Sequence, residues 1–517
     1  MRSFVVMYTV YTSARSGVKR RFRAWRNPAR LGSWGAGEVT GLWGIRMLKT
    51  YVTAVSALGL ALAVAAPVMA QDAQAPIAVP PVPRSEAPPA PLSAPPSQVI
   101  DGPPPPSVAI PQAESVPPPP SIPMPPPPIP VPPIPIDGPM LVSLVNSARD
   151  GVPSQESELG ERYLNGRDIP QDYTLAAAWL QRAADHGDGW AEFHLGQMYR
   201  LGEGFPKDDA RAADCYRKAA DQGLGVAQSQ LGRMFDSGQG VAMDEMQAYV
   251  WLDLATKATD GRIFGDGFIE DRDAARSHLT ADQMTQAEAM EKAWTPAAPS
   301  PWQQAEAGGR AADDGKAGDA VARLTPLATD GNPLAQYTLG VMYALGEGVT
   351  KDGAQGVAWL EKSAGQGNAG AQYFLGMMYL DGDGVAKDEG KAVKWLQKAA
   401  DQHVGGAESG LGIAYLSGHG VKTNLATAAD WFQKAAAQGD GSAQYFLAQF
   451  YFIGQGVPAD GMQAYKWASL ATLYARSPEL KADATKVAGQ ILSRIGASQA
   501  VEARKEAKDW KPVFPGP

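Results

Sequence analysis

The chain has 517 residues, a formal net charge of −8 and one cysteine, Cys215. A single cysteine cannot form an internal disulfide, so a disulfide-stapled fold is excluded. The charge is unevenly placed, because residues 1–46 hold nine Lys or Arg and one acid, which leaves −16 on the remainder. An acidic body repels phosphate backbones, so we expect no nucleic-acid binding.

Residues 47–70 have the pattern of a secretory signal. A basic start at Lys49 precedes an apolar run, and small residues at Val68 and Ala70 suit a signal peptidase. We therefore predict export to the periplasm, with residues 1–46 as a basic leader or an untranslated extension of the reading frame. The alternative is an uncleaved inner-membrane anchor, because 19 residues from Val52 onward are just enough to span a bilayer. Membrane contact would then involve this segment alone.

Residues 71–139 are rich in proline, and the stretch 76–139 holds 28 of the 43 prolines. Proline removes backbone donors and favours extended polyproline II over helix or sheet. We predict a disordered linker that spaces the repeats from the signal segment. A ligand for aromatic-lined grooves is the alternative.

A 36-residue pattern recurs through the rest of the chain, which is the mark of a repeat array. Position 5 of each unit is Leu, position 9 is aromatic, and positions 1, 5, 9 and 12 share one helical face. This spacing predicts a first helix over positions 2–12, ended by Gly at position 12. Asp or Asn at position 18 predicts the N-cap of a second helix over positions 19–32. The units begin at Gln155, Ala191, Ala227, Ala335, Ala371, Ala407 and Ala443.

Two further positions predict the core. Position 6 is Gly or Ala, which lets a neighbouring helix approach closely. Position 25 is Trp in six units, whereas Cys215 takes its place in the seventh and is predicted to be buried and inert. The predicted structural core consists of Leu339, Leu375, Leu411, Leu447, Trp179, Trp251, Trp359, Trp395, Trp431 and Trp467.

The string A-Q-Y-F-L-G-M-M-Y from Ala371, followed by A-V-K-W-L-Q-K-A-A from Ala392, resembles the Sel1-like repeat, a relative of the tetratricopeptide repeat. The resemblance implies an all-α, right-handed α-solenoid that acts mainly as an adaptor for protein assembly and signalling. An enzymatic claim in this family attaches to a cysteine-rich branch that binds penicillin-type compounds. This chain lacks those cysteines.

The units fall into two blocks that end alike, at Trp294 and Trp510. Arrays need end units with a polar outer face, so we read both ends as C-terminal caps. Two bodies on a short hinge are favoured, and one continuous solenoid is the alternative. The predicted boundaries are 140–294 for block one, 295–301 for the linker, 302–511 for block two and 512–517 for a tail.

The sequence offers no catalytic, cofactor or metal motif. Its five histidines lack zinc-site spacing, and Cys215 has no thiol partner. The Gly-x-Gly pairs follow helices and no P-loop lysine comes after them. We therefore expect a non-catalytic scaffold without cofactor or metal. A hydrolase acting on cell-wall or β-lactam compounds and a secreted effector are the alternatives.

Positions 3, 7 and 10 form the opposite face of each first helix, which we call the first-helix face. In tetratricopeptide-like solenoids the first helices line a concave groove. In block two this face is largely apolar and aromatic, so it is a candidate groove for a protein or peptide partner. The alternative is packing against adjacent first helices. The candidate groove residues are Tyr337, Val341, Tyr373, Met377, Leu380, Ile413, Leu416, Tyr445 and Phe452.

Overall fold

The computed structural model describes residues 138–258 and 265–516. The predictions for residues 1–46 and 47–70, and for the linker up to residue 137, therefore lie outside the described residues. Over the described ranges all regular structure is helical, which confirms the all-α class. The helices are α1 (Gly138–Arg149), α2 (Pro153–Asn165), α3 (Tyr173–Asp185), α4 (Gly189–Leu201), α5 (Asp209–Asp221), α6 (Gly225–Ser237), α7 (Glu245–Ala258), α8 (Gly265–Ser277), α9 (Ala281–Ala293), α10 (Pro301–Asp313), α11 (Ala317–Thr329), α12 (Pro333–Leu345), α13 (Gly353–Gly365), α14 (Ala369–Asp381), α15 (Glu389–Asp401), α16 (Gly405–Ser417), α17 (Leu425–Ala437), α18 (Gly441–Ile453), α19 (Gly461–Tyr474), α20 (Pro478–Leu492) and α21 (Ala497–Asp509).

Each repeat is a pair of consecutive helices packed on each other, such as α14 and α15. Gly382 ends α14 in the left-handed region, at φ 71°, and its amide donates to the Met378 carbonyl over 2.8 Å. Asp388 caps α15 by accepting from the Lys391 amide over 2.9 Å. Both predicted devices are confirmed, because the glycine and the capping Asp or Asn recur in the other repeats.

The two blocks end in the same way. Trp294 packs edge-on against Trp251 with ring centroids 6.4 Å apart, and Trp510 meets Trp467 at 6.1 Å. The chain after each tryptophan then runs back along the array. The Ala297 amide donates to the Asp221 carbonyl over 2.7 Å, and six repeat lengths later Val513 donates to Ala437 over 2.9 Å.

Helix α1 also meets α19 and the C-terminal tail. Leu141 of α1, Leu470 and Tyr474 of α19, and Phe514 of the tail belong to one buried cluster. Every described residue falls in one compact unit. The division at 295–301 into two separately moving bodies stays a prediction. Over the described ranges, no helix has both the length and the apolarity that crossing a bilayer requires.

Candidate interaction surface

The candidate groove residues of block two are largely covered. Tyr337, Val341, Tyr373, Met377, Leu380 and Tyr445 are each less than a tenth exposed, whereas Ile413, Leu416 and Phe452 are partly exposed. Five of the buried six belong to the core cluster of block two, where they pack between neighbouring helices. The accessible part of the predicted groove therefore shrinks to Ile413, Leu416 and Phe452, and partner binding there stays a prediction.

The end of α1 lies on the start of α14. A Cβ atom added to Gly370 would come within 2.3 Å of Asp150 Oδ1 and 3.0 Å of the Tyr337 ring. Asn368 Nδ2 donates to the Asp150 carbonyl over 2.7 Å. A larger residue at position 370 would clash with Asp150, so this contact requires a glycine there.

Arg149 joins α1 to two more repeats and to the tail. It is 3% exposed, and it donates to the His403 carbonyl, to Gln438 Oε1 over 2.6 Å and to the Pro515 carbonyl over 3.3 Å. Burial lowers the pKa of this guanidinium to about 10. Burial likewise raises the pKa of the Asp150 carboxyl to about 7, despite the nearby Arg182 and Arg149.

A cavity of about 80 Å³ remains at this junction. Its walls include Tyr373, Tyr474, Ser442 and Ser477 beside the Arg149 side chain. This volume has room for a few water molecules, which the Ser442 and Ser477 hydroxyls and the Arg149 guanidinium could bind. Hydrogen bonds of Arg149 and Asp150 therefore hold the end of α1 against block two. The groove residues Tyr337 and Tyr373 are buried at this junction.

The predicted core residues divide into two groups. The four leucines at position 5 are at most 1% exposed, and Trp179 and Trp251 are buried. The other tryptophans, Trp359, Trp395, Trp431 and Trp467, are partly exposed. In three consecutive repeats a lysine lies over the ring, at 4.1 Å for Lys362 on Trp359, 4.3 Å for Lys398 on Trp395 and 4.0 Å for Lys434 on Trp431. Position 25 is thus a half-covered outer position in block two.

The deeper position is the next one along, position 26. It is at most 1% exposed in every repeat, although its residue type varies. The glycine at position 6 faces it, since a Cβ on Gly376 would lie 2.8 Å from Leu396. In the last repeat, position 6 is Ala448 and position 26 is Ala468. The residue at position 26 is therefore smaller in the one repeat where alanine replaces the glycine at position 6. The position-26 residues are Leu180, Tyr216, Leu252, Leu360, Leu396, Phe432 and Ala468.

Seven segments of the chain match the model of the Sel1 repeat: residues 156–188, 191–224, 225–260, 333–368, 369–404, 406–440 and 441–473. This is a Sel1-repeat protein. Sel1-repeat proteins generally mediate protein–protein interaction.

Solved structures that are similar to this Sel1-repeat protein include two, from Oxalobacter formigenes and from uropathogenic Escherichia coli. A Sel1 repeat protein from Oxalobacter formigenes is 28% identical, with 70% of this chain and 92% of that chain covered and a TM-score of 0.34. The protective antigen c5321 of uropathogenic Escherichia coli strains, which displays an SLR fold, is also 28% identical. The coverage is 72% of this chain and 94% of that one, with a TM-score of 0.29. The curated proteins contain no match.

Consecutive Sel1 repeats are joined by a buried polar side chain at position 2, which the sequence pattern did not reveal. Gln372 Nε2 donates to the Ala364 carbonyl of the preceding repeat over 3.1 Å, and Gln402 donates to Gln372 Oε1 over 2.8 Å. Three other repeats make the first of these bonds through Gln228, Gln336 and Gln444. The remaining three have Glu156, Glu192 and Glu408, whose carboxylates cannot donate when ionised.

Two of these glutamates have a raised pKa, and burial is the main cause. It raises the pKa of Glu192 to about 7, against the attraction of Lys218, and the pKa of Glu408 to about 7, against that of Arg149. Gln222 donates to Glu192 over 2.9 Å, and Gln438 donates to Glu408 over 2.7 Å. Both carboxyls therefore gain a proton more readily than an exposed glutamate.

Two of the histidines contact glutamate side chains of the repeats. His186 contacts Glu156 at 2.6 Å and stacks on Trp302 with centroids 3.7 Å apart, and His419 contacts Glu389 at 2.7 Å. Within the described ranges no group of three His, Cys, Asp or Glu could hold a metal ion. Cys215 is partly exposed, whereas the sequence predicted that it is buried, because it lines a cavity between α3, α4 and α5. Burial still raises the pKa of its thiol to about 11, so the thiol stays protonated.

Proposed function

We propose that this Sel1-repeat protein is a non-catalytic interaction scaffold of the bacterial cell envelope. The observation that carries the proposal is the accessible remainder of the first-helix face. Ile413 and Leu416 lie one helical turn apart on α16 and keep part of their apolar surface exposed, as does Phe452 on α18. Apolar positions at this spacing suit a partner helix or an extended peptide.

The envelope location is supported by the sequence before the repeats. Residues 47–70 have the order of a secretory signal, and the proline-rich linker that follows would hold the repeats away from a membrane. A cleaved signal gives a free periplasmic protein, and an uncleaved one gives an anchored protein with periplasmic repeats.

Site-specific crosslinking tests the interaction. A photo-crosslinking residue at Leu416, in the full chain expressed in its native bacterium, is expected to capture a protein. The same residue at Gln433, which is exposed on α17, serves as the matched control. Capture that is equal at Leu416 and Gln433, or missing at both Leu416 and Phe452, would contradict the proposal.

Cell fractionation tests the location. We expect the protein in the periplasmic or inner-membrane fraction, and N-terminal sequencing separates the two forms. A mature chain that begins at Gln71 indicates cleavage after Ala70. A chain found only in the cytoplasm would overturn the envelope assignment.

A further inference from the structure

The repeat that begins at Ala191 keeps the surroundings of a position-25 tryptophan without the tryptophan. In the repeat at Ala371, Lys391 lies over the Tyr379 ring at 5.1 Å and Lys398 over the Trp395 ring at 4.3 Å. In the repeat at Ala191, Arg211 lies over Tyr199 at 5.6 Å in the same way. Lys218 has the place of Lys398, but the residue three positions before it is Cys215.

A cavity borders Cys215, the residue that stands where six other repeats have tryptophan. Its volume is about 180 Å³, and α3, α4 and α5 supply its walls. Leu195 gives an apolar wall, Tyr199 an aromatic one and Glu192 a polar one, while Cys215 and Lys218 lie along α5. These are the counterparts of Leu375, Tyr379, Gln372, Trp395 and Lys398 in the repeat at Ala371.

The size and chemistry of this cavity, which we call the Cys215 cavity, select one kind of occupant. Small-molecule pockets measure roughly 300–1,000 Å³, so this volume suits a single side chain better than a whole ligand. A lysine poised over a ring site attracts an aromatic face. A carboxylate is acceptor-only and has sites for more than one donor, so Glu192 can accept an indole N–H besides the Gln222 bond.

We propose that the Cys215 cavity binds a tryptophan side chain presented by a protein partner. The indole takes the place that Trp395 has in its own repeat, with its face toward Lys218 and its N–H toward Glu192. The protonated Cys215 thiol forms the floor and takes no chemical part. That the tryptophan belongs to a protein rests on the proposed scaffold function, whereas the cavity's affinity for an indole does not.

Titration with a free tryptophan derivative tests the cavity directly. N-acetyl-L-tryptophanamide, followed by saturation-transfer NMR on the full chain, is expected to bind saturably, and N-acetyl-L-leucinamide is the control ligand. Cys215→Trp fills the cavity from within and should weaken binding at least tenfold. Cys215→Ala leaves it open and should bind as the natural chain does.

Two further variants keep the test decisive if Cys215→Trp folds poorly. Lys218 is exposed, so Lys218→Ala should fold normally, and loss of the cation should weaken binding about twofold to fivefold. Trp395→Cys should open an equivalent cavity beneath Lys398 and raise the number of bound tryptophan derivatives from one to two. Circular dichroism checks that each variant is folded.

The outcomes separate this inference from the proposed function. Binding lost in Cys215→Trp and kept in Cys215→Ala supports the Cys215 cavity, even if crosslinking at Leu416 fails. Equal binding by the natural chain and folded Cys215→Trp overturns it, as does no binding by the natural chain at millimolar ligand, even if crosslinking succeeds.

Discussion

The repeats at Ala191 and Ala371 have the same residues at two helix ends and at position 5 of the core, but they differ in which surfaces stay exposed. Both have the leucine at position 5, the left-handed glycine at position 12 and the capping aspartate at position 18. The residue before the first repeat is Trp190, about half exposed, and before the second it is Gly370, covered by Asp150. Positions with a backbone role thus keep one residue type. The variable positions decide which surfaces remain available.

We expect the largest loss of stability from a change at position 26. Leu396→Ala removes a fully buried side chain and should destabilise the protein by about 2–5 kcal/mol. Urea unfolding followed by circular dichroism measures this effect. The exposed Lys394→Ala on the same helix is the control. A shift no larger than that of the control would contradict the assignment of position 26 to the core.

A second change tests whether position 6 and position 26 fit each other. Gly376→Ala puts a methyl group against Leu396 and should cost about 1–3 kcal/mol. Adding Leu396→Ala reproduces the Ala448–Ala468 pair of the last repeat, so the double variant should lose less than the sum of the two single losses. Additive losses in the double-mutant cycle would show that the two positions are independent.

Glu192→Gln makes the repeat at Ala191 like the repeat at Ala371. The pKa of Glu192 is raised to about 7, so the folded chain binds the proton more tightly than the unfolded chain. Its contribution to stability is therefore greatest below about pH 4.5 and falls as the pH rises to 7. Glutamine cannot ionise and can donate to the preceding carbonyl as Gln372 does, so the variant should gain about 1–3 kcal/mol at pH 8.

Thermal melting of the natural chain and of Glu192→Gln at pH 5 and pH 8 measures this gain. Gln372→Glu is the reciprocal control and should lose stability as the pH rises. A gain for Glu192→Gln that is the same at both pH values would show that the Glu192 carboxyl does not titrate in this range.

The smallest effect is expected at the start of α14. Gly370→Ala puts a methyl group against Asp150 and should loosen α1 while the repeats stay folded. Hydrogen exchange of residues 141–149 should accelerate, with little change in the melting temperature. Gly390→Ala on α15, where a Cβ meets only the Asp388 side chain at 3.5 Å, is the control. Unchanged exchange in α1 would argue against its close seating on Gly370.

The repeat frame could be predicted from the sequence because its devices are local. Gly382 and Asp388 act on the backbone within a few residues, so one unit is enough to recognise them. The resemblance to the Sel1 repeat then predicted the fold, and the match of seven segments confirmed the family.

The core and the surface were harder to predict. Position 26 is Leu, Tyr, Phe or Ala, so no constant residue type marks it in the sequence. The nearly constant tryptophan at position 25 was predicted to be core instead, but in block two its side chain is partly exposed. The burial of Tyr337 where α1 meets α14 was not predictable either. This contact joins Asp150 and Asn368, which are 218 residues apart, and no periodic pattern in the sequence links them.

The contact between α1, α19 and the tail has a consequence for the length of the array. In an open solenoid a repeat can be gained or lost, because each unit contacts only its neighbours. Here Leu141, Tyr474 and Phe514 must meet across all the intervening repeats. Deleting or inserting one 36-residue unit would displace one side of this contact from the other, so the repeat number is fixed by the fold.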